Sequence, residues 1–367
     1  MKRLNETNEQ KRLMQYFKKV SKIKFAEERR NLYMSKYKIG IVVTWFGNLP
    51  SYFSAWLRSV EENPDIDFLV FCDHEFERRT SNVKFYRTTL EESIKYFEKK
   101  LKRKINIKNS YKFCDCRAFF GITYEEYLKE YDFWGYCDID LMFGNIRGFL
   151  TDEILEKYDR FYQYGHLCVF RNVERINHLH ELPGSIYKLD EVFCGKAKTT
   201  FEEYFGLNRI CEKNNIAWYT NVDFVDFNSC YCNRMEICHK IKNYDEQIFM
   251  WHDGHAYRVY KDNEVIKMEE YIYMHWQKKK PVIEGEIMDD SYLIITENKI
   301  VAVNDESIMS NISFETWNPI IDKRERKICM RNYYKKKLKE FQEADFATKQ
   351  MWIRQMFYRL YDSRKYM

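Results

Sequence analysis

Two carboxylates one residue apart, Asp138 and Asp140, close the run from Phe133 to Cys137 and are followed by Leu141-Met142-Phe143-Gly144. The run before them is aromatic, small or soft, as suits a strand covered on both faces. In extended backbone, residues two apart face the same way. Two carboxylates aimed at one spot repel each other, and a hard divalent cation bridging them to substrate phosphates relieves that repulsion. The competing reading is a turn in which Asp138 caps backbone amides and Asp140 is solvated. A second dense stretch, Glu270 to Pro281, carries His275 just before the cationic run Lys278-Lys279-Lys280. An imidazole there can complete a coordination sphere begun by Asp138 and Asp140, and Lys278 can neutralise a diphosphate leaving group. A half-buried strand histidine beside solvated lysines is the plainer alternative.

Other residues could contribute polar chemistry. Lys112, Asp115 and Arg117 lie within one short segment and mix fixed cations with a carboxylate. An anionic, polyhydroxylated ligand needs both kinds of group. Lys112 and Asp115, three apart, could equally be an exposed helical ion pair. Asp190 and Glu191 are the chosen candidates for a carboxylate that deprotonates an acceptor hydroxyl, with Asp223, Asp226, Asp245 and Glu246 as alternatives. Cys230, Cys232, Cys238 and His239 raise zinc, but their spacing is not that of a ribbon or finger.

These groups need a scaffold. Lys38 to Gly47 reads as a strand with a turn at Gly47-Asn48-Leu49-Pro50, Ser51 can cap a helix running to Val60, and Asp67 to Cys72 reads as a second strand ending at Asp73. A strand, helix and strand in this order form a right-handed crossover. An acid at the end of the second strand, here Asp73, suits a ribose hydroxyl, or simply caps a turn. A short strand over 83–86, a helix over 90–104, a strand pair broken at Gly165-His166, a hairpin turning at Asp253-Gly254, and short strands over 292–296 and 300–303 complete an α/β chain. Phe143-Gly144-Asn145 reads as a turn. Residues 1–37 and the tail from about 325 have helical, basic, amphipathic patterns; Trp352, Met356, Phe357, Leu360 and Tyr361 can share one apolar face of the tail.

Composition narrows the function classes. The 367 residues are 17% aromatic and 32% charged, with 12 Gly and 5 Pro, as expected of a folded chain without collagen-like or linker-rich tracts. No uninterrupted apolar run approaches the roughly 18 residues of a membrane span. The 11 cysteines suit reduced thiols, and a cytoplasmic location is expected. The net charge of +5 conceals an acidic middle between basic ends: residues 1–38 hold 12 Lys/Arg against 4 Asp/Glu, and residues 323–367 hold 14 against 5. Without a nucleic-acid-binding motif, nucleic acid is not an expected partner, and the basic ends suit peripheral contact with an anionic membrane.

The motif Asp138-Ile139-Asp140 in this setting resembles that of nucleotide-sugar-dependent glycosyltransferases of the GT-A fold. Taken with Thr44-Trp45-Phe46, Phe71-Cys72-Asp73, Lys112-x-x-Asp115, Gly165-His166 and Tyr273-x-His275-x-Gln277-Lys278, the order over residues 38–282 resembles a bacterial glycosyltransferase-like family associated with capsule and exopolysaccharide genes. The resemblance implies an α/β fold with a GT-A-like (Rossmann-like) mixed sheet flanked by helices. The expected layout is a helical segment 1–37, a catalytic domain 38–282, a short-strand extension 283–322 and a helical tail 323–367. It implies a nucleoside-diphosphate sugar donor, UDP-linked, with Mn²⁺ or Mg²⁺ held by Asp138, Asp140 and His275. Thr44, Trp45, Phe46 and Asp73 would line the nucleoside pocket, while Lys112, Asp115, Arg117, His166 and Lys278 would meet sugar or phosphate. The expected activity moves a hexose to a hydroxyl of a glycan or polyprenyl-linked glycan. A nucleotidyltransferase and a catalytically idle sugar-nucleotide-binding protein are the alternatives.

Overall fold

The computed structural model describes residues 35–228, 234–235, 241–263, 265–277, 279–296, 298–304 and 323–365. Residues 1–34 of the expected helical segment 1–37, Lys278, and the cysteine and histidine positions 230, 232, 238 and 239 lie outside these residues.

The chain runs β1 (Ile39–Trp45), α1 (Phe53–Glu61), β2 (Ile66–Cys72), β3 (Val83–Arg87), α2 (Leu90–Leu101), β4 (Phe133–Cys137), β5 (Leu141–Phe143), α3 (Asp152–Lys157), β6 (Arg160–Phe161), β7 (Leu167–Arg171), α4 (Leu189–Cys194), β8 (Trp218–Tyr219) and β9 (Val225–Asp226). Seven of these strands form one sheet in the order β3-β2-β1-β4-β7-β6-β8. β1 pairs in parallel with both β2 and β4, and β7 is antiparallel to β4. The architecture is therefore mixed α/β.

Alternation along the strands explains why the sheet is covered on both sides. Ile39, Ile41 and Val43 of β1 join Phe133 and Cys137 of β4 in one core, whereas Val42, Trp134 and Tyr136 enter the other. All five residues of β4 are buried. Each large apolar side chain removed from water there contributes roughly 2–3 kcal/mol. Gly135 keeps the strand tightly packed: a Cβ at that position would lie 2.6 Å from the Cys168 carbonyl oxygen and 2.8 Å from Ile41 Cδ1.

The later strands are β10 (Gln247–His252), β11 (His255–Asp262), β12 (Val265–Tyr271), β13 (Tyr273–His275), β14 (Val282–Glu284), β15 (Tyr292–Ile295) and β16 (Lys299–Val303). β10 and β11 form the expected hairpin, with Asp253 at φ 50° and Gly254 at φ 77°, the left-handed pair that a tight two-residue hairpin turn requires. They belong to a six-stranded sheet, β12-β11-β10-β15-β16-β14. A three-stranded sheet, β5-β13-β9, is packed against it through Met142, Val225, Met274, Phe249, Trp251 and Leu293.

Two local readings change. Ser51 does not cap α1; its hydroxyl donates to the Pro281 carbonyl at 3.0 Å, joining the start of the helix to the segment after β13. Phe143 is not part of a turn but the last residue of β5. Two helices, α5 (Lys323–Glu343) and α6 (Phe346–Lys365), end the chain, and α6 docks through Met351 and through Arg354, which forms a two-oxygen ion pair with Glu191. No helix among the described residues is long and apolar enough to cross a membrane.

Candidate functional site

The order β3-β2-β1-β4 has a consequence for ligands. Moving out from β1, the chain connects to β2 on one side, whereas β4 joins on the other, so the sequence of crossovers reverses between β1 and β4. In open α/β sheets such a reversal leaves a crevice beyond the carboxyl ends of the strands. Trp45 and Cys137 are those ends, and Asp138 follows Cys137 directly.

Residues 138–140 are not strand but turn through a bend at 139–140, and they carry the chain from the seven-stranded sheet into the three-stranded one. The Asp138 amide donates to the His166 carbonyl at 2.9 Å, which anchors the first end of the bend to the start of β7. The second end is anchored by the Trp276 amide, which donates to the Asp140 carbonyl at 2.9 Å. β13 lies antiparallel to β5 with His275 opposite Leu141. This pairing brings His275 Nε2 to 3.5 Å from Asp140 Oδ2 despite the long stretch of chain between them.

The ligand atoms of Asp138, Asp140 and His275 all lie within 4.8 Å of one another. Asp140 Oδ1 is buried and has no hydrogen-bond partner, an arrangement that water-excluded oxygens avoid unless a ligand completes them. Two carboxylates and one imidazole are the oxygen and nitrogen donors that Mn²⁺ or Mg²⁺ accepts, so these residues fit such an ion.

The surrounding charges separate the two acids. Burial opposes ionisation of Asp138, but the Arg117 guanidinium bonded to its Oδ1 outweighs burial and holds it below the ordinary carboxyl range. Burial raises Asp140 instead, with His275 only partly offsetting it. Against its own burial, His275 is lifted well above the ordinary imidazole value by Asp140 and then Asp226. Arg117 also donates to the Gly165 carbonyl at 2.9 Å, so one buried guanidinium ties Asp138 to the turn before β7.

The remaining expected residues occupy three environments. Thr44, Trp45 and Phe46 lie at the carboxyl end of β1, where Asp73 accepts the Gly47 amide through both oxygens at 3.1 Å and so braces the turn after β1. His166 is buried under the cluster: its ring stacks on His275 with centroids 4.3 Å apart, and its Nδ1 meets the Tyr273 hydroxyl at 2.8 Å. Lys112 and Asp115 form a buried pair at 2.9 Å within the 3₁₀ segment Ser110–Phe119. Lys112 also donates to the Ala197 carbonyl, and Asp115 accepts the amides of Thr199 and Thr200, so the pair stitches this segment to residues 197–200.

Asp190 and Glu191 stand on α4. Asp190 is largely exposed and pairs with Arg103 at 2.8 Å, and Glu191 pairs with Arg354. None of these ion pairs reaches Asp138, Asp140 or His275.

Four residues around the cluster carry no motif in the sequence. Asp226 Oδ1 lies 2.8 Å from His275 Nδ1, though sequence offered it only as one of several acids. Tyr52, whose phenol is pushed up by burial and by Asp140 and Asp138, borders the same carboxylates. Lys198 and Glu202 pair at 3.6 Å beside Arg117. The string Lys198-Thr199-Thr200-Phe201-Glu202-Glu203 has charge but no recognisable pattern, and only tertiary packing identifies it.

Residues 41–304, well over half of the chain, match the Family of unknown function (DUF6625). The chain belongs to that family. No curated protein matches it. Among solved structures it is similar to galactosyltransferase LgtC in complex with donor and acceptor sugar analogs, at 12% identity over 51% of this chain and 75% of LgtC, with a TM-score of 0.29. The glycosyltransferase GlyE of Streptococcus pneumoniae TIGR4 gives 11% identity over 50% of this chain and 45% of its own, with a TM-score of 0.31. Mouse xyloside xylosyltransferase 1 gives 10% identity over 53% and 88%, with a TM-score of 0.32. At these scores no residue role passes from those proteins to this one.

Proposed function

We propose that this member of the family is a glycosyltransferase that moves a hexose from a nucleoside-diphosphate sugar, UDP-linked, to a hydroxyl of a glycan or polyprenyl-linked glycan in surface polysaccharide synthesis. One observation carries the reading. Asp138, Asp140 and His275 converge beyond the carboxyl end of β4, at the reversal point of an α/β sheet, with an orphaned carboxylate oxygen among them. In this reading those three residues hold Mn²⁺ or Mg²⁺, which supplies charge stabilisation to the departing diphosphate.

The chain's own groups do the rest. Thr44, Trp45, Phe46 and the exposed edge of Asp73 take the nucleoside at the end of β1. Arg117 and Lys198 supply fixed positive charge beside Asp138, and Lys278 is assigned the neutralisation of the diphosphate leaving group. Lys112, Asp115 and His166, bonded within the protein, are assigned to shaping this wall. Asp190 or Glu191 would serve as base only on leaving Arg103 or Arg354, which Asp190→Asn and Glu191→Gln test separately. The tail helices hold the enzyme at an anionic membrane surface on the cytoplasmic side.

The deciding experiment screens nucleotide sugars for metal-dependent hydrolysis and for thermal stabilisation of the protein. Turnover of at least one nucleoside-diphosphate sugar, lost on chelation, is expected. Stabilisation without turnover would make the protein a sugar-nucleotide-binding protein, and neither effect with any donor would overturn the reading.

A further inference from the structure

His275 is held from three sides. Its ring lies on His166, its Nε2 faces Asp140, and its Nδ1 is 2.8 Å from Asp226 Oδ1. Asp226 is itself buried, on β9, which pairs in parallel with β13 so that Asp226 stands in register with His275. The contact is reinforced from the same strand pair, because the Phe227 amide donates to the His275 carbonyl at 3.1 Å. The same Asp226 oxygen accepts a second hydrogen bond, from Gln277 Nε2 at 2.8 Å. Gln277 adopts the left-handed conformation, φ 57°, which a side chain tolerates only where surrounding contacts hold it.

An imidazole can offer a lone pair to a ligand only through the nitrogen that carries no proton. A carboxylate at Nδ1 keeps a proton on that nitrogen, because an acceptor-only group there leaves no other favourable arrangement. Nε2, farther from its carboxylate at 3.5 Å, is then the nitrogen that gives up its proton when a cation binds, and it is the one aimed at Asp140. We propose that Asp226 is a positioning residue that fixes the Nδ1–H tautomer of His275 and presents Nε2 to the Asp138 and Asp140 carboxylates. Through Gln277 the same oxygen also sets the start of the segment after β13. The proposal rests on the metal reading for its consequence in affinity, whereas the tautomer itself does not depend on it. Carboxylate partners of ligand histidines typically change metal affinity by about 10–100-fold when removed.

The test compares Asp226→Leu, which keeps the branched shape and removes the acceptor, with Asp226→Asn, which keeps a weaker one, and with Asp138→Asn. Manganese affinity is measured by electron paramagnetic resonance with Mn²⁺ alone. Nitrogen-15 NMR reads which nitrogen keeps its proton in the metal-free wild type once alkaline pH has neutralised the His275 ring, assigned by loss of its signals in His275→Gln. The expected results are Nδ1–H in the wild type, about 10–100-fold weaker Mn²⁺ binding in Asp226→Leu and a smaller loss in Asp226→Asn. An Nε2–H ring in the wild type overturns the proposal, and so does wild-type Mn²⁺ affinity in a folded Asp226→Leu when Asp138→Asn has lost it. Unchanged affinity in Asp138→Asn together with an Nδ1–H wild-type ring would instead remove the metal reading and leave the positioning by Asp226 standing. The wild-type NMR decides the matter even if Asp226→Leu does not fold.

Discussion

Glu202 offers the sharpest physical test of the buried polar region behind the candidate site. Its side chain is fully buried, neither carboxylate oxygen has a hydrogen-bond partner, and the Lys198 ammonium at 3.6 Å is too far to bond directly. Burial pushes its carboxyl up from 4.5 to about 7, with Lys198 offsetting only part of the effect. The folded-state value lies above the unfolded one, so its contribution is fully present below about pH 4.5 and is lost as pH rises through about 7. A displacement of that size corresponds to about 3 kcal/mol. Glu202→Gln keeps the shape and removes the ionisation. The stability of wild type relative to this variant should therefore fall by about 3 kcal/mol between pH 5 and pH 8. At roughly 2 °C per kcal/mol for a chain of this size, the difference in melting temperature should move by roughly 6 °C over the same interval. Chemical denaturation of both proteins at closely spaced pH values measures it. Parallel profiles would mean that Glu202 ionises normally in the folded state, refuting the inference drawn from its burial and missing partners.

Asp138→Asn and Asp140→Asn should each lower Mn²⁺-dependent donor turnover by about 100-fold or more while circular dichroism stays near wild type, with a lowered melting temperature for Asp138→Asn, which leaves the buried Arg117 guanidinium without its carboxylate; full turnover in both would discard the metal assignment. On α6, Met356 and Phe357 are exposed at 62% and 68%, and Leu360 one turn on is exposed as well, so Met356→Ser with Phe357→Ser should reduce sedimentation with anionic liposomes several-fold without altering melting temperature. Equal sedimentation would leave that face without a membrane role. Deleting the tail is a poorer test, because Met351 and Arg354 are packed on the body. Gly135→Ala should destabilise the fold by several kcal/mol, since both close neighbours of the added Cβ belong to adjoining strands; a loss below about 1 kcal/mol by denaturant titration would show that β4 can shift.

The apolar run of β4 and the acids that follow it were readable because a strand buried on both faces leaves a continuous signal. The crossover of β1, α1 and β2 was readable for the same reason. The pairing of β5 with β13 was not: each is three residues long, too short for a period, and the partners are distant in sequence. The Lys112–Asp115 spacing did indicate an ion pair, but not its burial, because the side of the 3₁₀ segment facing residues 197–200 is set by tertiary packing. The acids Asp190 and Glu191 show the opposite difficulty. Their composition suits a base, yet nothing local reveals that Arg103 and Arg354 would meet them. Tyr52, Lys198 and Glu202 matter through what they adjoin, which no spacing encodes.

The charges around the bend bear on which ligand the cleft suits. A bare carboxylate pair would attract any cation and repel a nucleotide. Here Arg117 is bonded to Asp138, Lys198 stands near it, and His275 is held between Asp140 and Asp226. The cations lie on the Arg117 side of the bend and the orphaned oxygen lies on Asp140. A ligand satisfying both sides must present positive charge to Asp140 and negative charge to Arg117 and Lys198. Neither a lone metal ion nor a lone phosphate does so, whereas a divalent cation carried with a diphosphate does. The two-sided charge around the bend thus matches the diphosphate and cation of the proposed donor, and Arg117→Met should weaken donor binding more than it weakens Mn²⁺ binding.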